Sequence, residues 1–359
     1  MKSPLWLAAV LLALTPSLAD AQPGTPLPTK SPDAYIDEAL AVARAKSFRT
    51  DRVDWKALAE KAHRAAEGAA DILDTYPILV DILIGLGDGH SFVQADAGQR
   101  AAFQARHGYA FNRALGERKR PTSSFMNRDT VETRRLEVDG AAVQVFDVPH
   151  FSGGGELANY FAQRLYDAQA TGAPWACGYV VDLRGNGGGN VWPMLAGLEP
   201  LLGEGRISGH RDRTGLSWTE LDGGKAQLVG PDGATQTLAH TRDWARLPGL
   251  DTRPVAVLID DATASSGEGV AVALRGRANT RFFGDHTYGI STSNEGFRLS
   301  DGAVLVITTG VMVDRTGHDQ EHGLAPDEAI DPRLAVDGGD PALAKAAAWV
   351  AGARACPKA

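Results

Sequence analysis

Two stretches of this chain, Gly178–Val181 (GYVV) and Val255–Ile259 (VAVLI), are apolar at successive positions and run straight into loops of small residues. Strand side chains alternate between two faces, so a strand apolar at every position needs cover on both. Helix-patterned segments lie between such runs. They are GELANYFAQRLYDAQATG (155–172), with Leu157, Tyr160, Phe161 and Leu165 set inward, VWPMLAGLEPLLG (191–203) and SSGEGVAVALRG (265–276). With AAVQVFDVPHF (141–151), TRFFGD (280–285) and AVLVITTGVMV (303–313) as further strands, the pattern predicts a layered α/β core over residues 136–345. Residues 346–359 are expected to form a C-terminal tail.

The N-terminal side reads differently. Residues 1–21 combine a lysine, a short apolar run and Ala19-Asp20-Ala21 before Gln22, the layout of a cleaved export signal. Pro16 breaks the run, which is too short to span a bilayer. The mature chain is therefore expected to be periplasmic or secreted, without an integral membrane segment. Residues 22–30 read as a disordered leader and 31–93 as a small helical domain. Ser31 caps its first helix ahead of Pro32; Trp55, Leu58, Ala62 and Ala65 share a face of the second; Ile78, Leu79, Ile82, Leu83 and Leu86 make the third a core helix. Residues 94–135 read as an irregular connection.

The formal charge of −8 argues against a nucleic-acid partner, and the short basic run at 116–122 reads as solvated surface. The two cysteines, Cys177 and Cys356, could pair in an oxidising compartment or stay as free thiols; spacing alone leaves both open.

Four places could carry chemistry. Ser265 sits where a strand gives way to a helix, where unpaired helix N–H groups favour developing negative charge and the Ser266 N–H could hold an oxyanion. An ordinary N-cap serine suits the same position. In DLRGNGGGN (182–190) the glycines let backbone N–H groups approach a ligand, or simply make a tight turn; the lysine and hydroxyl of a phosphate loop are missing. His90, in LGDGHSFV, has the titration range of a general base. His318, Glu321 and His322 match H-x-x-E-H, a zinc pattern that works only on a helix, yet Gly317, Gly323 and Pro326 favour a loop.

In order and separation, LGDGHSFV, VVDLRGNGGG, DDATASSGE, GDHTYGIS and EHGLAPD together resemble the tricorn-core and C-terminal-processing serine peptidases. The resemblance implies a crotonase-like α/β spiral core joined to the small N-terminal helical domain. It implies Ser265 as nucleophile, with Gly188 and the Ser266 N–H as oxyanion donors. The processing branch takes its base from a lysine in a stretch like T-F-G-K-G; here Thr287-Tyr288-Gly289 is followed by Ile290, which accepts no proton. The tricorn branch uses a histidine, and His90 occupies that position with Glu321 as its orienting acid, although Gly89 replaces the serine that precedes the family's histidine. His286 and His318 are weaker bases. The span from His90 to Asp182 is too short for the PDZ domain many members carry there.

The expected function is therefore an exported serine-type endopeptidase that cleaves peptides or partly unfolded polypeptides without a cofactor and without a metal. The alternatives are a non-catalytic module binding apolar ligands or peptides on the same scaffold, and a zinc peptidase at 318–322.

Overall fold

Ser31 accepts the Ala34 N–H at 3.3 Å with Pro32 in the first turn, so the first helix begins where its capping residues put it. The computed structural model describes residues 30–111, 121–126, 128–331 and 339–353. Chain order gives α1 (Pro32–Lys46), α2 (Trp55–Ala66), α3 (Tyr76–Ile84), β1 (Phe92–Gln94), α4 (Ala97–His107), β2 (Thr133–Val138) and β3 (Ala141–Asp147). Then come α5 (Gly155–Gly172), β4 (Gly178–Asp182), α6 (Val191–Gly197), α7 (Glu199–Leu202), β5 (Gly205–Asp212), β6 (Leu216–Asp222), β7 (Lys225–Val229) and β8 (Thr235–His240). The last elements are β9 (Val255–Ile259), α8 (Ser266–Leu274), β10 (Thr280–Gly284), β11 (Thr292–Arg298), β12 (Val304–Asp314), β13 (Glu328–Ala329) and α9 (Pro341–Ala351).

The described residues fall into two compact units, one made of those before position 120 with Ser293–Gly310, the other of the rest. In the first unit, α1, α3 and α4 bury Tyr35, Ile36, Tyr76, Leu79 and Phe103 with Leu305 and Ile307 of β12. All five residues assigned to the core of the third helix are buried. In α2 Ala62 is buried, whereas Ala65 is exposed and Ala66 turns inward instead. Phe92 of β1 pairs antiparallel with Val306 of β12. The span 94–135 is less irregular than expected: Asp96 and Gln99 form a capping box that starts α4, and Gly108 ends it at φ 76°. That helix buries Phe103 alone, so it has no apolar stripe to read. Residues 293–310, expected within the α/β core, belong to the helical unit.

The second unit carries a six-stranded sheet in the order β13-β10-β9-β4-β3-β2, parallel except for β2 at its edge. It is covered on both faces, as the unbroken apolar strands require. Tyr179, Val181, Val255, Val257 and Ile259 face a core shared with α5, α6, α7 and α8; Val180, Ala256 and Leu258 face α9. Residues 346–351, expected to belong to a tail, are the second half of this helix, with Ala346, Ala347 and Val350 buried. Leu157 and Tyr160 of α5 were expected inward but are 68% and 51% exposed; Ala158, Phe161, Ala162 and Leu165 form the inward stripe. Strands β5 to β8 make an antiparallel meander, turned between β6 and β7 by Gly223 and Gly224, both at positive φ. No described helix is long and apolar enough to cross a membrane.

The two leucines of α5 separate core from surface. Leu165→Ala is expected to cost about 2–5 kcal/mol in chemical denaturation, and Leu157→Ala less than about 0.5 kcal/mol.

Candidate active site

β9 delivers the chain into a tight turn whose end is Ser265. Asp260 organises that turn, its Oδ1 accepting the N–H groups of Ala262 at 3.1 Å and Thr263 at 3.0 Å. Ser265 then takes φ 52°, ψ −116°, a region that non-glycine residues occupy only under constraint, at a cost of about 1–3 kcal/mol. Its carbonyl accepts the Gly269 N–H at 2.9 Å, which opens α8, and the Ser266 N–H lies in the first turn, where helix donors have no intrahelical acceptor. Ser265 thus stands on a strained strand-to-helix turn at the positive end of a helix. Ser265 is half-buried.

The glycine loop after β4 packs against this turn. The Ala264 N–H donates to the Asn186 carbonyl at 2.9 Å, Thr263 Oγ1 to the Leu183 carbonyl at 3.0 Å, and Ser266 Oγ to the Gly189 carbonyl at 2.6 Å. Gly188, at φ 108°, is pressed so close that a Cβ there would lie 2.8 Å from Ser265 Cβ and 3.0 Å from Ser266 N. The structure thus brings Ser265, Ser266 and Gly188 together. Gly188 also has a partner that sequence does not reveal: its N–H donates to Asn186 Oδ1 at 3.0 Å. The loop's root is fixed by charge. Arg184 forks onto Asp182 (2.9 and 2.7 Å) and onto Asp340 (3.0 and 2.7 Å), the cap of α9. Burial pushes the Asp182 carboxyl up, but Arg184 and Arg128 outweigh it and hold the group below its ordinary value.

Ile290, where the processing branch has its lysine, is buried. Its backbone N–H donates to Glu268, and so do Gly289 N–H, Thr287 Oγ1 and Ser265 N–H. Sequence reasoning missed Glu268, although Ser265-x-x-Glu268 has the spacing of a capping box. Burial raises the Glu268 carboxyl above its ordinary value, against the lowering pull of the Thr287 hydroxyl and then of the three N–H groups.

His90 belongs to the first unit, is 7% exposed, and has its backbone clamped at both ends. Its N–H donates to Asp88 Oδ1 at 2.8 Å and its carbonyl accepts Asn294 Nδ2 at 3.1 Å. Glu321 lies in the second unit on a half-buried turn; beside it, Ser291 Oγ donates to the Gln320 carbonyl and accepts the Gly323 N–H at 2.9 Å. The weaker bases are surface residues: His286 sits 3.5 Å from its neighbour Asp285, and His318 Nδ1 is 2.7 Å from Thr316 Oγ1. Residues 318–322 form a bridge and turn rather than the helix that zinc binding by H-x-x-E-H needs, and no metal-holding cluster occurs among the described residues. Cys177 packs beside the α9 cluster, whereas Cys356 lies outside the described residues, as do the expected signal and leader up to residue 29.

Residues 144–330, over half the chain and spanning both the glycine loop and the Ser265 turn, match "Peptidase family S41". The chain belongs to that peptidase family. It is 26% identical over 293 residues to a nisin-resistance protein of Lactococcus lactis subsp. lactis, covering 80% of each chain. A carboxyl-terminal-processing protease of Synechocystis sp. is 28% identical over 174 residues, 48% of this chain and 35% of that protein, in line with the kinship expected from the five stretches. The fold is shared with the solved structure of a lipoprotein from Streptococcus agalactiae (TM-score 0.65, 19% identity), over 91% of this chain and 98% of that one.

The close approach at Gly188 has a built-in control one residue away. Gly188→Ala is expected to lower stability by about 1–3 kcal/mol through strain and overlap. At Gly187, where a Cβ meets nothing within 4 Å, alanine is expected to leave the melting temperature unchanged.

Proposed function

We propose that this chain is an exported serine peptidase that hydrolyses peptides or partly unfolded polypeptides through Ser265. Ser265 Oγ attacks the scissile carbonyl; His90 takes its proton and returns it to the leaving amine; Glu321 orients the imidazole. The Ser266 N–H and Gly188 receive the oxyanion, Gly188 sharing the N–H it gives to Asn186 Oδ1. The scheme uses no cofactor. Ile290 removes the lysine route, which leaves a histidine as the base in keeping with the family resemblance.

One observation carries this reading: Ser265 holds a left-handed backbone at the mouth of α8, against a glycine whose missing side chain leaves room for it. An ordinary capping serine has extended backbone and needs no such support. Ser265→Ala is expected to lower kcat/KM on an unfolded polypeptide by about a thousandfold or more, His90→Ala comparably, with a chelator making no difference. Equal cleavage by wild type and Ser265→Ala would leave the non-catalytic binding module in its place.

Export and the Cys177–Cys356 bridge belong to the same proposal. Val350 of α9 packs on Gly178, where a Cβ would lie 2.6 Å from Val350 Cγ1, so the helix leading to Cys356 runs beside the residue after Cys177. Closing so long a loop contributes on the order of 5 kcal/mol in the chain-entropy treatment. Intact mass of protein recovered from the periplasm or medium is expected to show a chain beginning at Gln22, with no reactive thiol until it is reduced.

A further inference from the structure

Four donors converge on one fully buried carboxylate. Glu268 is 0% exposed. Its Oε2 accepts the N–H groups of Ser265 and Ile290, both at 2.9 Å, and its Oε1 accepts Thr287 Oγ1 at 2.6 Å and the Gly289 N–H at 2.7 Å. We propose that Glu268 is a positioning residue for the nucleophile: a buried carboxyl group that holds the strained Ser265 turn against the Thr287–Ile290 loop. This rests on reading Ser265 as the nucleophile.

A carboxyl group offers about four acceptor sites, and donors reach all four. Three are main-chain N–H groups, which can only donate; the fourth is the Thr287 hydroxyl, whose own oxygen accepts the Leu324 N–H at 2.8 Å. Burying a carboxylate costs several kcal/mol unless such bonds replace its water, so the cluster stands or falls together. The carboxyl group also sits in the first turn of α8, the end of a helix that favours acidic side chains.

Geometry shows what the carboxylate controls. The Ser265 N–H is the main-chain donor of the strained residue, and Glu268 fixes it. Gly323 packs directly on the cluster: a Cβ there would lie 2.8 Å from Glu268 Oε1 and 2.5 Å from Thr287 Oγ1. Together with the Leu324 bond to Thr287, this ties the segment after Glu321 to the same carboxylate. Ile290 has lost the side chain of a base, yet its N–H still serves as a strut for the nucleophile turn. A relaxed turn displaces Ser265 Oγ, and a shift of about 1 Å at a reacting atom costs on the order of a hundredfold in rate.

Glu268→Gln keeps the shape and turns an NH2 toward fixed N–H donors. Single-turnover labelling of Ser265 by a fluorophosphonate, with kcat and KM on a peptide substrate, reads the effect. Labelling rate and kcat are expected to fall about a hundredfold, with KM close to wild type at a temperature where the variant is folded, a split that general loss of structure does not produce. Thr287→Val is expected to show part of the same kcat loss and Thr287→Ser to recover it; this pair decides the matter should Glu268→Gln not fold. Wild-type labelling and turnover in Glu268→Gln, or equal rates in the two Thr287 variants, overturns the role of Glu268. A wild-type protein that is not labelled at Ser265 overturns the nucleophile assignment instead.

Discussion

Ser265 is held in a backbone conformation that costs free energy, and much of the second unit serves to keep it there. The restraint comes from three directions in the sequence. Asp260 sets the turn from the strand side, Asn186 ties down Ala264 from the glycine loop, and Glu268 reaches back from within the helix. None of these contacts is strong alone, since a hydrogen bond nets about 1 kcal/mol. Together they fix a single residue in a backbone conformation that it would not hold alone.

The sheet beneath makes this arrangement rigid. Its strands are buried on both faces, so the polar work is concentrated at their carboxyl ends, where Asp147, Asp182 and Asp260 cluster around the loops. Asp147 and Asp182 stand opposite each other in neighbouring strands, and burial, then the adjacent Asp182 charge, raises the Asp147 carboxyl above its ordinary value. Arg128 approaches both, at 2.8 Å from Asp182 and 3.4 Å from Asp147. Two like charges so close to an apolar interior need such a cation beside them.

The buried sheet was legible because its strands are apolar at every position, a pattern with few structural solutions. Facing was harder to read: Leu157 and Tyr160 are as apolar as their inward neighbours, and only packing decides which stripe of α5 is covered. The meander β5–β8 passed unread because its strands are half-polar and half-buried, with no strong apolar run to mark them. Ser265, Ser266 and the glycine loop stood out from local texture, and Gly188 was singled out by the family resemblance. Glu268 left only the spacing of a capping box, and Asn186 nothing, because much of their work is on backbone groups brought to them by folding. Glu268 in particular gains its meaning from Thr287, Gly289 and Ile290, brought to it by folding.

Arg184 stands between two systems otherwise far apart in the chain. One fork grips the base of the glycine loop through Asp182, the other the first turn of the C-terminal helix through Asp340. Without that guanidinium the fully buried Asp182 carboxylate would lose its main counter-charge, so the root of the glycine loop and the cap of the C-terminal helix depend on one and the same cation.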